Sequence, residues 1–476
     1  MTDDPPPTSP THLQADSGTV QSILSLSSVT AGSVRGTLLF LALPVLAEQI
    51  LTTLVGLVDT YLAGRISPAA TSAIGLAAYV DWLASMLLML IGTGTTALVA
   101  RYEGSGDHHR ANHFANQSLT LAGIMGVAVF LLIFSLAPWF AKYCRMTGES
   151  YDIAVTYLRV DAIGHMFMAP TLVGCAALRG VGNMRTPMMI FAVINVVNVI
   201  ASCSLVYGWG PAPALGVNGI VAGTVIARFV GAMILLAILC AGDAGLKISR
   251  NDLPIVWAST QRILRIGVPA AVDGAIMWSG HFMFLAIISR LADPPLGEIY
   301  FATHIIAMRV EAFVYLPAVA WAAATATMIG QSLGAQDPRR AMRAGHEGVL
   351  QCGLLSVGIA SCFFFGSQFI FGQMSADPMV QAAGVRPFRI LALFQPLLVT
   401  SIVYVGALRG AGDTRFPLLI TIVGALFIRI PVGYTLGIVE HWGLLGAWMG
   451  MFSDMTWRAG ASWLRYSRGK WTRTRV

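Results

Sequence analysis

Twelve predominantly apolar stretches follow one another along this chain, near residues 36–63, 73–99, 115–140, 154–178, 187–209, 217–241, 263–291, 300–329, 344–371, 386–408, 417–439 and 444–466. About 20 such residues are enough for a helix to cross the hydrocarbon core of a bilayer. Within that core a segment must satisfy its own backbone N–H and C=O groups, so each run is expected to be a helix. Barrel strands would instead alternate apolar and polar residues over about ten positions. Charge content agrees: of 476 residues only 11% are charged and 56% are hydrophobic, whereas a soluble chain keeps about a quarter charged. The expected fold class is an all-α polytopic membrane protein with twelve transmembrane helices.

The net charge of +7 matters less than where it sits. Arg101 and Arg110 follow the second span, Arg179 and Arg185 the fourth, and Lys247, Arg250, Arg262 and Arg265 the sixth. Arg339, Arg340 and Arg343 follow the eighth span, and Arg409 and Arg415 the tenth. Positive charge marks cytoplasmic loops, which places both termini inside a plasma (inner) membrane. The basic balance is therefore topology and not nucleic-acid binding. Residues 1–34 are rich in Pro, Ser and Thr with no apolar core after a basic start, which predicts a disordered cytoplasmic tail and not a signal peptide. A short basic tail is expected over 467–476. The six cysteines show no metal or redox spacing and read as small core residues.

The chain repeats itself. "ALRGVGNMRTP" at 177–187 returns as "ALRGAGDTRFP" at 407–417, and Gly104, Asp107 and Arg110 match Gly334, Asp337 and Arg340. "LALPVLAEQ" in the first span is echoed by "IGVPAAVDG" in the seventh. Because six is even, both copies enter the membrane in the same orientation. Two six-helix bundles, 35–241 and 263–466, are expected to be related by a parallel pseudo-twofold repeat and joined by a cytoplasmic linker at 242–262. A parallel repeat of this kind puts a substrate cavity between halves that rock to expose it alternately. Two fused halves favour a carrier acting as a monomer over a multi-subunit channel.

One acid stands out in "LTTLVGLVDTYLAG", residues 51–64. A carboxylate within a bilayer costs roughly 2.5–3.5 kcal/mol on insertion scales, so Asp59 needs a reason. Glu48 lies about 16 Å below it on nearly the same face of the helix. Pro44 removes a backbone bond further down and permits bending. Asp59 either marks a helix end at the wet interface, since "AGRISP" comes next, or is a working carboxylate. Glu311 lies in mid-span eight and Arg429 within span eleven, and the two are candidate partners and candidate cavity charges, as is Glu48. Asp454 and Arg458 are spaced i, i+4 on span twelve. Asp81, Asp161 and Asp273 read as solvated or locally paired. Glu103, Asp107 and Asp337 read as caps or latches of cytoplasmic turns, and His108, His109 and His113 as a solvated loop. Gly219 with Gly223 and Gly446 with Gly450 supply small faces for close helix packing.

The first span, the doubled "LRG-x-G" loops and the "GxxxGxxD" turns, present in both halves and in the same order over about 35–465, resemble the multidrug and toxic compound extrusion (MATE) family. That resemblance implies export of small-molecule organic cations and other xenobiotics in exchange for protons or sodium, by alternating access, with membrane lipid around the protein and no further cofactor. The family's coupling aspartate in "VDT-x-x-x-G" matches Asp59. Its cavity tyrosine matches Tyr157, its span-five asparagine Asn198 and its span-six threonine Thr224. Neutral oxygens beside one carboxylate suit a small cation. The departures are Ser202, where the DinF-like branch has a second aspartate, and Met277 and Leu398, where the NorM-like branch has carboxylates. With only the shared aspartate kept, the expectation tilts toward protons. Two other readings stay open. A flippase for lipid-linked oligosaccharides would line its cavity with Arg and Lys for a pyrophosphate. A membrane-embedded enzyme would need clustered catalytic acids, and no Walker lysine, zincin helix or nucleophile elbow is present.

Overall fold

The computed structural model describes residues 32–209 and 213–474, so all but the last three residues of the expected N-terminal tail lie outside the described residues. Among the described residues the chain forms twelve long helices. These are α1 (Val34–Ile66), α2 (Pro68–Gly104), α3 (His108–Tyr143), α4 (Glu149–Gly180), α5 (Arg185–Tyr207) and α6 (Val217–Ala241). After the linker come α7 (Trp257–Ile288), α8 (Leu296–Gly334), α9 (Pro338–Met374), α10 (Pro378–Gly410), α11 (Arg415–Val439) and α12 (Gly443–Ser467). Eleven are long and apolar enough to cross a membrane. The twelfth, α12, is less apolar because it carries Asp454, Arg458 and Arg465. Within α11 two stretches, Ile422–Arg429 and Thr435–Val439, are wound as π-helix.

Helix starts and stops obey local chemistry. Ser33, Ser67, Asp107, Asp337 and Asp377 each accept a hydrogen bond from a first-turn N–H, satisfying a donor the helix itself leaves open. Asp107 and Asp337 thus cap α3 and α9, as expected for them, and the remaining turn acid, Glu103, lies 3.0 Å from His108 Nδ1. The matched loops end α4 and α10 on Gly182 and Gly412, with φ of 88° and 86°, where a side chain would be strained. α1 begins at Val34, inside the segment assigned to the tail, and its start is held by Arg35 on Glu347 of α9 at 2.9 Å. The other tail is also packed: Trp471 is fully buried and stacks on Tyr466 with ring centroids 4.6 Å apart.

In the first six helices α2 and α3 pack on α4, α4 on α6, and α5 on α6. In the last six α8 and α9 pack on α10, α10 on α12, and α11 on α12. α2 also lies along α7 and α8, and α1 along α8 and α5. Small residues permit the closest approaches: Gly219 and Gly223 lie against Leu205 and Ser202, and Gly446 and Gly450 against Leu436 and Arg429. The last six helices share one apolar core with the start of α1, around Leu38 and Leu41, whereas α2 to α6 contribute to two.

The linker is not a loose string. Its last residues, from Trp257, already belong to α7. Before them, Asn112 and Asn116 of α3 bond the backbone of Lys247 and Ser249. Gln117 donates to the carbonyls of Asp252 and Pro254 and accepts from the N–H of Val256, and Thr120 donates to the carbonyl of Leu253. His113 is not solvated: its Nδ1 lies 2.8 Å from Asp252 and its Nε2 3.0 Å from the Ser259 hydroxyl. The segment is strapped to α3 by polar side chains of that helix's own first turns.

At the end carrying the "LRG" loops the halves meet backbone to backbone. A Cβ on Gly104 would lie 2.0 Å from the carbonyl oxygen of Gln331, and one on Gly334 would lie 2.1 Å from that of Arg101. Gln331 and Thr327 of α8 donate to the carbonyls of Gly180 and Arg179. Overfilling such a contact costs about 1–3 kcal/mol. Gly334→Ala is therefore expected to lower the melting temperature of the purified protein. Gly358→Ala, where a Cβ would meet nothing within 4 Å, should leave it unchanged or raised.

Candidate functional site

Asp59 lies seven residues before the end of α1, beyond Pro44, through which the helix runs without interruption. It is half-buried. Thr224 of α6 approaches it with Oγ1 3.5 Å from Asp59 Oδ2, and the same hydroxyl lies 3.2 Å from the Ile220 carbonyl. One hydroxyl hydrogen serves only one of these acceptors at a time. Asn198 of α5 donates to Thr224 Oγ1 at 3.0 Å. Asp59 Oδ1 and Asn198 Oδ1 are buried and without hydrogen-bond partners. The structure thus brings Asp59, Thr224 and Asn198 into one chain of contacts across α1, α6 and α5. Tyr157 of α4 is buried in the apolar cluster beside them, with Val58 packed against that cluster. Ser202 adjoins them: fully buried, its hydroxyl donates at 3.3 Å to the Ile220 carbonyl that Thr224 also approaches, and it does not contact Asp59 directly.

One helical turn further along α4 and α6 lies a group that sequence reasoning did not assemble. Arg228, four residues after Thr224, donates to Asp161 Oδ1 and to Asp81 Oδ2, each at 3.1 Å. His165, four residues after Asp161, places Nε2 2.9 Å from Asp81 Oδ1 and 3.4 Å from Asp161 Oδ2. Asp161 is paired locally with His165 on its own helix and Asp81 is partly exposed, as expected of them, but the two are also drawn together from two helices by an arginine on a third. The missed signal was the i, i+4 spacing of Tyr157, Asp161 and His165, matched by Thr224 and Arg228. Gly164 makes room for the guanidinium, since a Cβ there would lie 2.9 Å from Arg228 Nη1. Donor atoms of Asp81, Asp161 and His165 lie within 4.8 Å of one another. Arg228 already supplies the positive charge that a metal ion would bring.

The remaining candidates resolve into ion pairs. Glu48 is buried and is not a cavity charge, because Arg179 Nη1 donates to its carboxylate at 2.9 Å. Asp273 has the same clasp in the second half, bonded by Arg409. The acid four residues after the first-helix proline, Pro44 or Pro269, meets the arginine of that half's "LRG". Glu311 and Arg429 are not partners. Glu311 accepts from Gln395 at 2.9 Å, while Arg429 is buried against Asp454 at 2.5 Å and lies 3.2 Å from His281 Nδ1. Arg458 completes that set, 3.0 Å from Asp454 on its own helix. The expectation rests only on both being charges within the membrane, and the nearer acid to Arg429 is Asp454 on α12. Met277 lies 3.8 Å from Arg458 through its sulfur, and Leu398 is buried.

Comparison with known proteins agrees with this architecture. The family model described as MatE matches residues 44–203 and 269–435. A Thermotoga maritima protein named "Probable multidrug resistance protein NorM" is 30% identical over 443 residues, covering 93% of this chain and 94% of its own. "Multidrug resistance protein PmpM" of Pseudomonas aeruginosa is 28% identical, covering 90% and 91%. Among solved structures, "Crystal structure of MATE in the straight conformation" superposes with a TM-score of 0.85 at 21% identity, covering 94% of this chain and 99% of that one. A MOP superfamily transporter from Pyrococcus furiosus also gives 0.85, at 20% identity and with 95% and 99% covered.

Removing one partner of a buried ion pair costs about 3–5 kcal/mol. Arg228→Met is expected to destabilise the purified protein by that order, read as a fall in melting temperature. Arg228→Met combined with Asp161→Asn should recover much of the loss. Equal melting of the native protein and the single variant would show that these charges are solvated.

Proposed function

The chain belongs to the MatE family of transporters, and on that premise we propose that it exports organic cations and other xenobiotics across a plasma membrane in exchange for inward-moving protons. The single observation that carries the reading is Asp59: a carboxylate past the bend-permitting Pro44, with one buried oxygen unpartnered and the other reached only loosely by Thr224. A group held this lightly changes its contacts when it gains or loses a proton. The relatives' names, multidrug resistance proteins, supply the substrate class.

In this reading 35–241 and 263–466 act as two bundles related by a parallel pseudo-twofold repeat, with both termini cytoplasmic and one chain sufficient for transport. The parallel packing of α1–α6 and α7–α12 and the twin clasps Glu48–Arg179 and Asp273–Arg409 support the repeat. Contacts among Gly104, Gly334 and Gln331 close the cytoplasmic end. A proton on Asp59 removes the charge that the Thr224 hydroxyl faces, which frees α1 to bend at Pro44 and favours substrate release outside. Protons fit better than sodium because Ser202 leaves Asp59 as the one carboxylate of its immediate group. Lipid-linked pyrophosphate is not favoured. Arg179, Arg228, Arg409, Arg429 and Arg458 are each paired with an acid.

The test is ethidium efflux from cells carrying the native protein or Asp59→Asn, under an imposed proton or sodium gradient. Native efflux is expected to track the proton gradient. The variant, inserted at the native level, should fall to the rate of cells without the transporter. Efflux by Asp59→Asn equal to native would place coupling elsewhere, and efflux that tracks sodium alone would overturn the ion.

A further inference from the structure

The Asp81–Asp161–His165–Arg228 group is only half satisfied. Arg228 takes one oxygen of each carboxylate at 3.1 Å. The other oxygens, Asp81 Oδ1 and Asp161 Oδ2, lie 2.9 and 3.4 Å from the same atom, His165 Nε2, and these oxygens and both ring nitrogens of His165 are buried without a formed hydrogen bond. Two carboxylates and one guanidinium leave a charge of −1, which is costly away from water. With the neutral ring's own proton on Nδ1, Nε2 would face both oxygens with a bare lone pair; a second proton, on Nε2, makes the ring an imidazolium, brings the set to zero and puts a donor between the two acceptors. Asp161 and His165 side chains are 2% exposed and that of Arg228 is 12% exposed, but that of Asp81 is 33% exposed. Asp81 is therefore the open edge through which a proton can enter or leave.

We propose that this cluster is a second proton-binding site of the transporter, separate from Asp59, with its proton shared between His165 Nε2 and the facing oxygens of Asp81 and Asp161. Loading forms one N–H bond and releasing it breaks that bond, with nothing else exchanged. The empty cluster is anionic and draws a cationic substrate toward the first half, and the loaded cluster is neutral and does not. Groups facing His165 are Asp81 from α2, Asp161 from its own helix and Arg228 from α6, with Tyr157 and Asp59 one turn outward. Ionisable residues of α3 and α5 lie at the ends of those helices. α8 meets α4 at Arg179 and Gly180, far along the helix. The role in transport rests on the export function proposed above; the protonation does not.

Nitrogen NMR of full-length protein labelled on histidine, in lipid nanodiscs, reads the site directly. The resonance lost in His165→Gln, or in His165→Asn should the first variant not fold, identifies the ring. It is expected to be an imidazolium at neutral pH that loses its proton on alkalisation, and to become neutral at neutral pH in Asp81→Asn, where one carboxylate charge is gone. A ring that stays neutral over about pH 5 to 9, or one indifferent to Asp81→Asn, overturns the proposal. Protons released on ethidium binding in weak buffer should be two for the native protein and one each for Asp59→Asn and His165→Gln. A native count of one removes the cluster from the cycle. Absence of ethidium binding counts against the export function, and the resonance alone then decides whether the site takes a proton.

Discussion

Inside a bilayer an arginine stays charged and must meet a carboxylate, and this requirement organises the chain. Arg179 reaches from α4 to Glu48 on α1, Arg409 from α10 to Asp273 on α7, Arg228 from α6 to α2 and α4, and Arg429 from α11 to Asp454 on α12. Lipid is as apolar as leucine, so apolar contact alone gives these helices little reason to prefer one another over solvent. Charge pairing and close glycine contacts supply the preference. Most of these pairs join helices that no short loop connects, which makes them cross-braces of the fold. Replacing such a pair with apolar residues would be tolerated far better than breaking it.

Against that background the acids divide into two kinds. Glu48, Asp273 and Asp454 are consumed by arginines and hold structure. Asp59 has no arginine within bonding distance among the described residues, and its best contact is a neutral hydroxyl at 3.5 Å. The difference between a brace and a working group is thus one of partnership and not of depth. Serine at position 202 removes a charge from the first group, yet the first half still carries Asp81 and Asp161 one turn deeper.

Much of this was legible in the amino-acid order. Apolar run length gave all twelve helices, and the repeated loops pointed to the matching glycines, caps and turns. Asp59, Thr224 and Asn198 meet, as the resemblance implied. What stayed hidden was anything decided by three helices at once. Asp81 and Asp161 looked isolated because their shared partner, Arg228, is 147 and 67 residues away, and no spacing rule links them. Glu311 and Arg429 looked suited to each other as lone intramembrane charges, but the packing of α11 on α12 gives the arginine Asp454 instead. Glu48 and Asp273 occupy equivalent places in an echo that was visible, and their twin clasps would have been legible had the "LRG" arginines been placed in helices and not in loops.

The strapped linker has a mechanical consequence. A free tether of about twenty residues would let its two attachments drift apart by roughly 25 Å. Here the segment from Lys247 to Val256 is laid along α3 by Asn112, Asn116, Gln117 and Thr120, and α7 starts immediately afterwards. The slack is taken up before the second half begins. The segment therefore acts as a short splint that sets where α7 starts against α3, and not as a leash.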